Sequence, residues 1–553
     1  MKRLAVILGI LVAAQGQALA QCKSEHLAPD SEQLLSRQLA DKQPLPDADG
    51  KRQIGSIRFI QNNIFDTKLP SEDNWLFHLA NKMHIMTEPQ VLKNILLLSE
   101  GDLYTPELLR ESERLLRQQG YLYDAQISAT ERCEKYVDVV ITTRELWTLL
   151  PEISFSRSGG ENRSTFGFRD SNFLGWGKRL SLVRTNDDER SGYEFTYADP
   201  NIFGSRYQGR LEYADNSDGE RHWLALSYPF YSLDTPYSYG FANGSNKRDE
   251  KLYDKGETIS EFSQETSSNE VFFGLARRPA EHWTQRIRFG YRYHKERFYE
   301  LAQTYVPIAT ERTLSYPYID ISWFEDDFVK VHNIDTISRT EDLNLGWQIH
   351  TQFGYSPSTF SDDASRYVLK LNVRRSHYIS QQSLWRWSLG LDGSIRERDF
   401  DAENLFFGAQ AEYLFNSDDA QSWYVKAQVD AAEGLTADQQ LALGGETGLR
   451  GYPHHYDLGD RRALFSVEKR YYWQYNLWQL FSVGGALFYD AGQAWFHDKQ
   501  ENAHFRHNFG FGLRLAPSRA NAGAVIHLDV ARPINRSDDV DPLQWLVSVK
   551  KTF

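Results

Sequence analysis

Only two of the 553 residues are cysteine, and only three are methionine. Cys22 and Cys133 both stand near the N-terminus. Most of the chain therefore has no cross-link and must be held by packing or by its solvent. After the leader, no apolar run approaches the ~20 residues of a membrane-crossing helix. No dense Lys/Arg block occurs and the net charge is −13, which sets nucleic acid aside as a partner. The patterns G-x-S-x-G, H-E-x-x-H and G-x-x-x-x-G-K-[ST] are missing, so the common hydrolase, zinc-protease and phosphate-loop chemistries have no motif.

What is present begins with a leader. Lys2 and Arg3 precede a short apolar stretch at 4–14, and Ala18-Leu19-Ala20 offers a small-x-small cleavage site. This predicts a signal peptide over 1–20 and a mature start near Gln21. Gln21 stands where lipidation of Cys22 would want a small residue, so a lipoprotein is not expected. Export brings the chain into an oxidising compartment, where a Cys22–Cys133 disulfide would tie the N-terminus to the first folded unit. Two unpaired thiols remain the alternative, because sequence does not fix pairing.

Residues 21–50 are polar and carry QPLPDADGK, a linker composition. Residues 51–149 differ. A strand is predicted at 56–65. A helix follows Thr87 and Pro89, with Val91, Leu92, Ile95 and Leu96 on one face. A second helix starts at Thr105-Pro106, carries Leu108, Leu109, Leu115 and Leu116 as a stripe, and stops at Gly120. YLYDAQISA and YVDVVITT then read as strands. The order β-α-α-β-β describes a small α+β domain.

From 150 to 553 the periodicity changes to two. In TQRIRFGYRYH, Ile287, Phe289, Tyr291 and Tyr293 oppose Arg286, Arg288, Arg292 and His294. In LWRWSLGLD, Trp385, Trp387, Leu389 and Leu391 oppose Arg386, Ser388 and Asp392. About twenty such segments are separated by Asp/Asn/Gly/Ser-rich loops, with no helix to cover a sheet. The mean hydropathy is −0.57, yet aromatics make up 14%. A transmembrane antiparallel β-barrel explains this, since only alternate residues face lipid while the others line a wet lumen. A soluble sandwich or propeller would not need Arg- and Gly-rich inner faces or aromatics gathered at strand ends.

Several short motifs then fall into place. DSNFLGWGK (170–178) and DPNIFGSRY (199–207) are similar tight turns. Leu449-Arg450-Gly451-Tyr452 lies in a long loop, FYDAG follows at 488–492, and the chain ends in Phe553. With these the chain resembles the bacterial surface-antigen superfamily of outer-membrane proteins, which includes BamA, TamA and the two-partner-secretion transporters. Residues 51–149 resemble one polypeptide-transport-associated (POTRA) domain. The resemblance implies a barrel of about sixteen strands and a lid loop, 431–462, folded into the lumen. It makes Leu449, Arg450, Gly451 and Tyr452 the lid motif, and Phe488 and Gly492 the barrel-wall motif. Strand parity turns Asp490, Asp529 and Glu468 inward. Asp490 is the expected acceptor for Arg450, with Asp529 and Glu468 as alternatives, because a planar guanidinium binds a carboxylate through two hydrogen bonds. Five strands are countable after the lid motif, but about fifteen before it where sixteen in all would want eleven. The barrel would close between a first strand near 163–169 and a last at 545–553. Trp545, Val547, Val549 and Phe553 share one face there as a terminal insertion signal, interrupted by Lys551.

The expected function is to assist insertion or translocation of polypeptides at the bacterial outer membrane, with the N-terminal domain in the periplasm. Partners would be outer-membrane lipids and unfolded polypeptide clients, with periplasmic chaperones or accessory proteins as further candidates. No cofactor, metal or catalytic residue is expected: His454-His455 lacks two further ligands at usable spacing. A passive channel or structural surface barrel is the alternative.

Overall fold

The structure is a computed structural model that describes residues 45–47, 50–132, 135–158, 161–187, 190–361, 363–418, 420–499, 504–520, 524–534 and 536–550. The leader, Cys22, Cys133 and Phe553 lie outside the described residues. The chain divides into two compact units between Leu146 and Trp147.

The first unit runs β1 (Gln53–Asn62), α1 (Trp75–Met83), α2 (Pro89–Ile95), α3 (Pro106–Arg117), β2 (Leu122–Arg132) and β3 (Tyr136–Glu145). The sheet order is β1-β3-β2, with β1 parallel and β2 antiparallel to the central strand. Leu92, Ile95, Leu109 and Leu116 from the helices pack on Ile54, Ile127, Val137, Val139 and Ile141. Glu113 of α3 accepts the Ile127 N–H at 2.9 Å, and Arg117 donates to the Ala125 carbonyl at 2.9 Å, so polar groups also tie α3 to β2. The domain has one helix more than the expected β-α-α-β-β order. Asn74 caps it by accepting the Phe77 N–H at 3.0 Å, and the Phe77 ring stacks on Phe65 at 3.9 Å. Trp75, Leu79 and Met83 of α1 are exposed, so its apolar period does not mark a buried face.

The second unit is a closed barrel. Its strands before the long loop are β4 (Leu149–Ser158), β5 (Glu161–Asp170), β6 (Arg179–Asp187), β7 (Ser191–Asp199), β8 (Gln208–Asn216), β9 (Gly219–Tyr228), β10 (Tyr237–Asp254), β11 (Glu257–Ala280), β12 (Trp283–Glu300) and β13 (Arg312–Glu325). A short pair, β14 (Phe328–Val331) and β15 (Glu341–Asn344), lies outside the wall. The wall resumes with β16 (Gln348–Ser356), β17 (Arg366–Ser380), β18 (Ser383–Arg396), β19 (Ala402–Asp418) and β20 (Gln421–Glu433). After a second excluded pair, β21 (Leu441–Leu443) and β22 (Asp457–Gly459), come β23 (Arg461–Leu477), β24 (Phe481–Trp495), β25 (Arg506–Pro517), β26 (Val525–Ile534) and β27 (Gln544–Lys550). Among the described residues the wall thus has twenty strands rather than about sixteen. The extra strands before the lid motif are wall strands, because each is long enough to cross the membrane and has a wall strand on either side. The first wall strand is β4, ahead of the expected 163–169.

Outward side chains form an apolar belt. Phe166, Leu182, Leu224, Val271, Phe273, Phe289, Phe353, Leu389, Phe407, Phe465, Leu487, Phe511 and Trp545 are all exposed. Leaving each such side chain in water forgoes about 1.5–3 kcal/mol of burial, so a belt of this extent demands lipid. The two early turns share one local structure: Asp170 and Asp199 accept the Asn172 and Asn201 N–H groups at 2.9 and 3.0 Å. No described helix is long and apolar enough to cross a membrane.

Strand direction defines two ends. The near end is where β4 begins and β27 finishes; the far end carries the loops after β10, β12, β20 and β24. Crossing a bilayer takes about 9–11 tilted residues. β10, β11 and β12, at 18, 24 and 18 residues, stand well beyond that at the far end.

Candidate functional site

The far-end loop between β20 and β23 turns into the lumen. β21 pairs with β22 to form its stem. Leu443, Leu449, Tyr452 and Tyr456 are buried with Leu464, Ala494 and Val540. The Tyr452 hydroxyl donates to the carbonyls of His507 and Ile534 at 3.4 and 3.3 Å. That of Tyr456 meets Ser537 Oγ at 2.6 Å. The loop has its own small apolar core, shared with the wall.

Arg450 sits at its tip, 6% exposed. Its Nε and Nη2 donate to the two oxygens of Asp490 at 2.8 and 2.7 Å, a bidentate pair. Nη1 donates to Glu468 at 2.7 Å. Asp529 is at 3.9 Å and is held chiefly by Arg514. The Phe488 ring lies 3.5 Å beneath the guanidinium carbon, a cation–π contact in a desolvated place. Sequence parity did not single out Ser466 and Asn508, yet both donate to Asp490, at 2.7 and 2.8 Å. Nor did it single out Arg470, which donates to Glu468 at 3.0 Å. All lie on the same inward face as the acids, which is the signal that could have found them. Arg450, Arg470 and Arg514 balance Glu468, Asp490 and Asp529, so the buried network is neutral, as burial of charge requires.

Each motif residue has a physical task. Phe488, Asp490 and Gly492 are alternate residues of β24 and face inward together. A Cβ on Gly492 would lie 2.9 Å from Leu443 Cδ2, so its absence seats the loop's stem against the wall. A Cβ on Gly451 would meet Asn508 Cβ at 2.5 Å, which makes close approach the reason for glycine there. The space behind Gly510 and Gly512 is filled by other side chains. It holds the Phe488 ring in one case and Asp529 with Arg514 in the other.

A second clasp comes from the tall wall. Arg312 of β13 donates to both oxygens of Asp438 at 3.1 and 2.9 Å. At the β10–β11 tip, the Tyr253 N–H donates to Gln440 Oε1 at 3.3 Å and the Gly256 N–H to the His455 carbonyl at 3.2 Å. The His455 ring stacks on Tyr253 at 4.2 Å. Burial, with His454 beside it, pulls the His455 imidazole down to about 4. Asp460, His497 and Asp498 form the one group among the described residues whose donor atoms could meet a metal ion. In the structure Asp460 is already occupied, accepting the His497 N–H at 2.9 Å.

At the seam, among the described residues, β27 meets β4 through one registered pair, Val547 with Arg157. The neighbouring β26–β27 ladder registers from Val525–Lys550 to Ala531–Gln544, and β4–β5 from Leu149–Asp170 to Ser158–Glu161. Trp545 and Val549 point outward and are exposed.

A closed barrel with an apolar outside, a lid pinned from within and a small α+β domain ahead of it defines a class of outer-membrane barrel. The chain matches the sequence profile described as Omp85 superfamily domain over residues 172–553, and that described as POTRA, surface antigen variable number repeat, over 84–145. It belongs to the Omp85 superfamily, whose members serve polypeptide translocation or insertion at the outer membrane. Similar solved structures include CdiB from Escherichia coli, at 11% identity and TM-score 0.46, covering 98% of this chain and 96% of that one. CdiB from Acinetobacter baumannii is similar at 12% identity and TM-score 0.45, covering 90% and 73%. BamA from Haemophilus ducreyi lacking POTRA domains 1-3 is similar at 13% identity and TM-score 0.37, covering 90% and 85%. No curated protein matches.

Proposed function

We propose that this protein handles unfolded polypeptide clients without enzymatic chemistry, receiving them in the periplasm and passing them to the membrane at the barrel seam. The near end of the barrel and the POTRA domain would then face the periplasm and the far end the cell surface. The observation that carries this reading is that, among the described residues, β27 and β4 share a single registered pair. A strand edge with unmet N–H and C=O groups seeks a partner strand, and in lipid it has no water to satisfy it. A client strand arriving there would complete the ladder on either side. In the POTRA domain β2 is an edge strand, pairing with β3 on one side, and an edge of this kind accepts an extended segment by β-augmentation. Arg450 and its carboxylates would keep the lid in the lumen while the seam works.

Depletion of the protein followed by comparison of the outer-membrane and secreted proteomes tests this. Selective loss of particular outer-membrane or secreted proteins is expected. An unchanged pair of proteomes would leave the passive-channel reading in its place.

A further inference from the structure

The near-end connection between β13 and β16 is 326–347, long for a turn that joins neighbouring strands of a barrel. It does not project outward. β14 and β15 pair from Phe328–Asn344 to Val331–Glu341 and carry the intervening residues into the lumen. Ile334 is buried against the inward residues Leu384 and Leu414. Ile337 is buried against Tyr472, Ala486, Ala516 and Val525 of β23 to β26. β26 lies eight strand positions from β16 in a ring of twenty, so the hairpin spans the bore. Its tip is shaped from within: Glu341 accepts the N–H groups of Ile334, Asp335 and Thr336 at 3.1, 3.0 and 3.2 Å. Polar contacts also hold it to the wall. Asp335 takes two hydrogen bonds from Arg386, both 2.8 Å, and the Tyr472 hydroxyl donates to the Asn333 carbonyl at 3.1 Å. Small Ala486 and Ala516 form a shallow socket for Ile337.

The wall between this hairpin and the lid is bridged by side chains in contact. Arg450 of the lid binds Glu468, and Glu468 binds Arg470. Arg470 lies over the Tyr424 ring at 3.9 Å. The Tyr424 hydroxyl donates to Glu412 at 2.8 Å, Glu412 pairs with Arg386 at 2.7 Å, and Arg386 holds Asp335 of the hairpin. Each step is charged or polar and faces inward, so loss of one contact leaves its neighbour short of a partner in a desolvated place.

We propose that the 326–347 hairpin is a movable plug that seals the near mouth of the lumen and is linked through these side chains to the lid at the far mouth. The lumen then opens only when both let go. This goes beyond the seam reading, because a client entering at the seam need not pass either closure.

The test compares four full-length proteins in planar bilayers: wild type, Arg450→Ala, Asp335→Ala/Ile337→Asp, and the triple variant. Ile337→Asp places a carboxylate among alanines and should drive the hairpin into water without altering the wall. Heat-modifiable mobility on gels verifies that each barrel is closed, and replacement of 328–344 by a short Gly-Ser turn provides a second unplugged form. Steady conductance is expected only in the triple variant and in the turn replacement carrying Arg450→Ala. Full conductance with Arg450→Ala alone would show that the hairpin seals nothing and would overturn the proposal, as would a triple variant that stays closed. Linkage is read by amide exchange: Arg450→Ala should speed exchange at 332–340 by about tenfold, a coupling of ordinary size, and Tyr424→Phe should abolish that effect. Exchange at 332–340 that ignores Arg450 would refute the linkage. The client proteome test reads neither quantity, so either proposal can fail alone.

Discussion

Removing the Arg450 guanidinium would leave Asp490 and Glu468 buried without their shared cation. Breaking a buried pair from one side costs about 3–5 kcal/mol. Arg450→Ala should therefore unseat the lid, seen as faster proteolysis and amide exchange across 441–459. Arg450→Lys should fail to restore it, because a point ammonium cannot bind Asp490 in two places and Glu468 in a third; a lysine variant that behaves as wild type would mean that charge alone holds the lid. Gly451→Ala should act similarly through a clash, since its Cβ would lie 2.5 Å from Asn508 Cβ. Asn508→Gly should relieve that clash in the double variant, although it forfeits one hydrogen bond to Asp490. His455 adds a dependence on pH. Its folded value, about 4 against an ordinary 6.5, means that the released loop binds a proton the seated loop refuses. Lid seating is thus fully stable above pH 6.5 and weakens as pH falls toward 4. Exchange across the lid, corrected for intrinsic chemistry, should quicken over that window, and His455→Phe should flatten the dependence while keeping the stack on Tyr253. A flat wild-type profile would reject this account.

At the scale of elements, the tall β10–β13 wall and the lid form a clasp independent of Arg450. Arg312→Ala should release the arm at 434–440 to protease while the tip stays pinned, because Asp438 loses its partner and Asp490 does not. Release of the tip as well would show one cooperative unit instead of two. What could be read from sequence follows the same division. Period-two alternation is a property of each strand, so the inward direction of Asp490, Asp529 and Glu468 was open to inspection, as were the amphipathic helices at Leu92 and Leu109. Counting segments also gave about fifteen before the lid motif, and the wall contains them all; the smaller number came from the family, not from the residues. What was illegible lies between elements. The helix at Trp75–Met83 shows its apolar stripe to solvent, opposite to the rule that reveals a buried face. The course of 326–347 across the bore depends on which alanines stand six and seven strands from β16. Arg312 is paired with residues more than a hundred positions along, and no local pattern carries that information.

For the whole molecule, the decisive quantity is how firmly the ring is closed. Every wall ladder other than the seam is a run of registered pairs, and β10–β11 registers from Tyr237–Leu275 to Asp254–Glu257. Among the described residues the seam has one such pair, Val547 with Arg157. In a ring of strands the weakest ladder opens first, since each lost backbone pair in lipid leaves two polar groups unsatisfied and the seam has fewest to lose. A disulfide across the registered pair makes the point testable: Val547→Cys with Arg157→Cys, in a chain where Cys22 and Cys133 are serine, so that no other thiol competes. Directly opposed residues of an antiparallel pair fall within the Cα separation a disulfide accepts. If clients are passed at the seam, oxidation should halt their assembly and reductant should restore it in the same molecules, with the barrel equally heat-modifiable in both states. The control with Cys22 and Cys133 replaced alone should be indifferent to oxidant. Client assembly that continues in the oxidised form would mean that polypeptides do not use this edge. The lumen, with its lid and its near-end hairpin, would then be the route to interrogate.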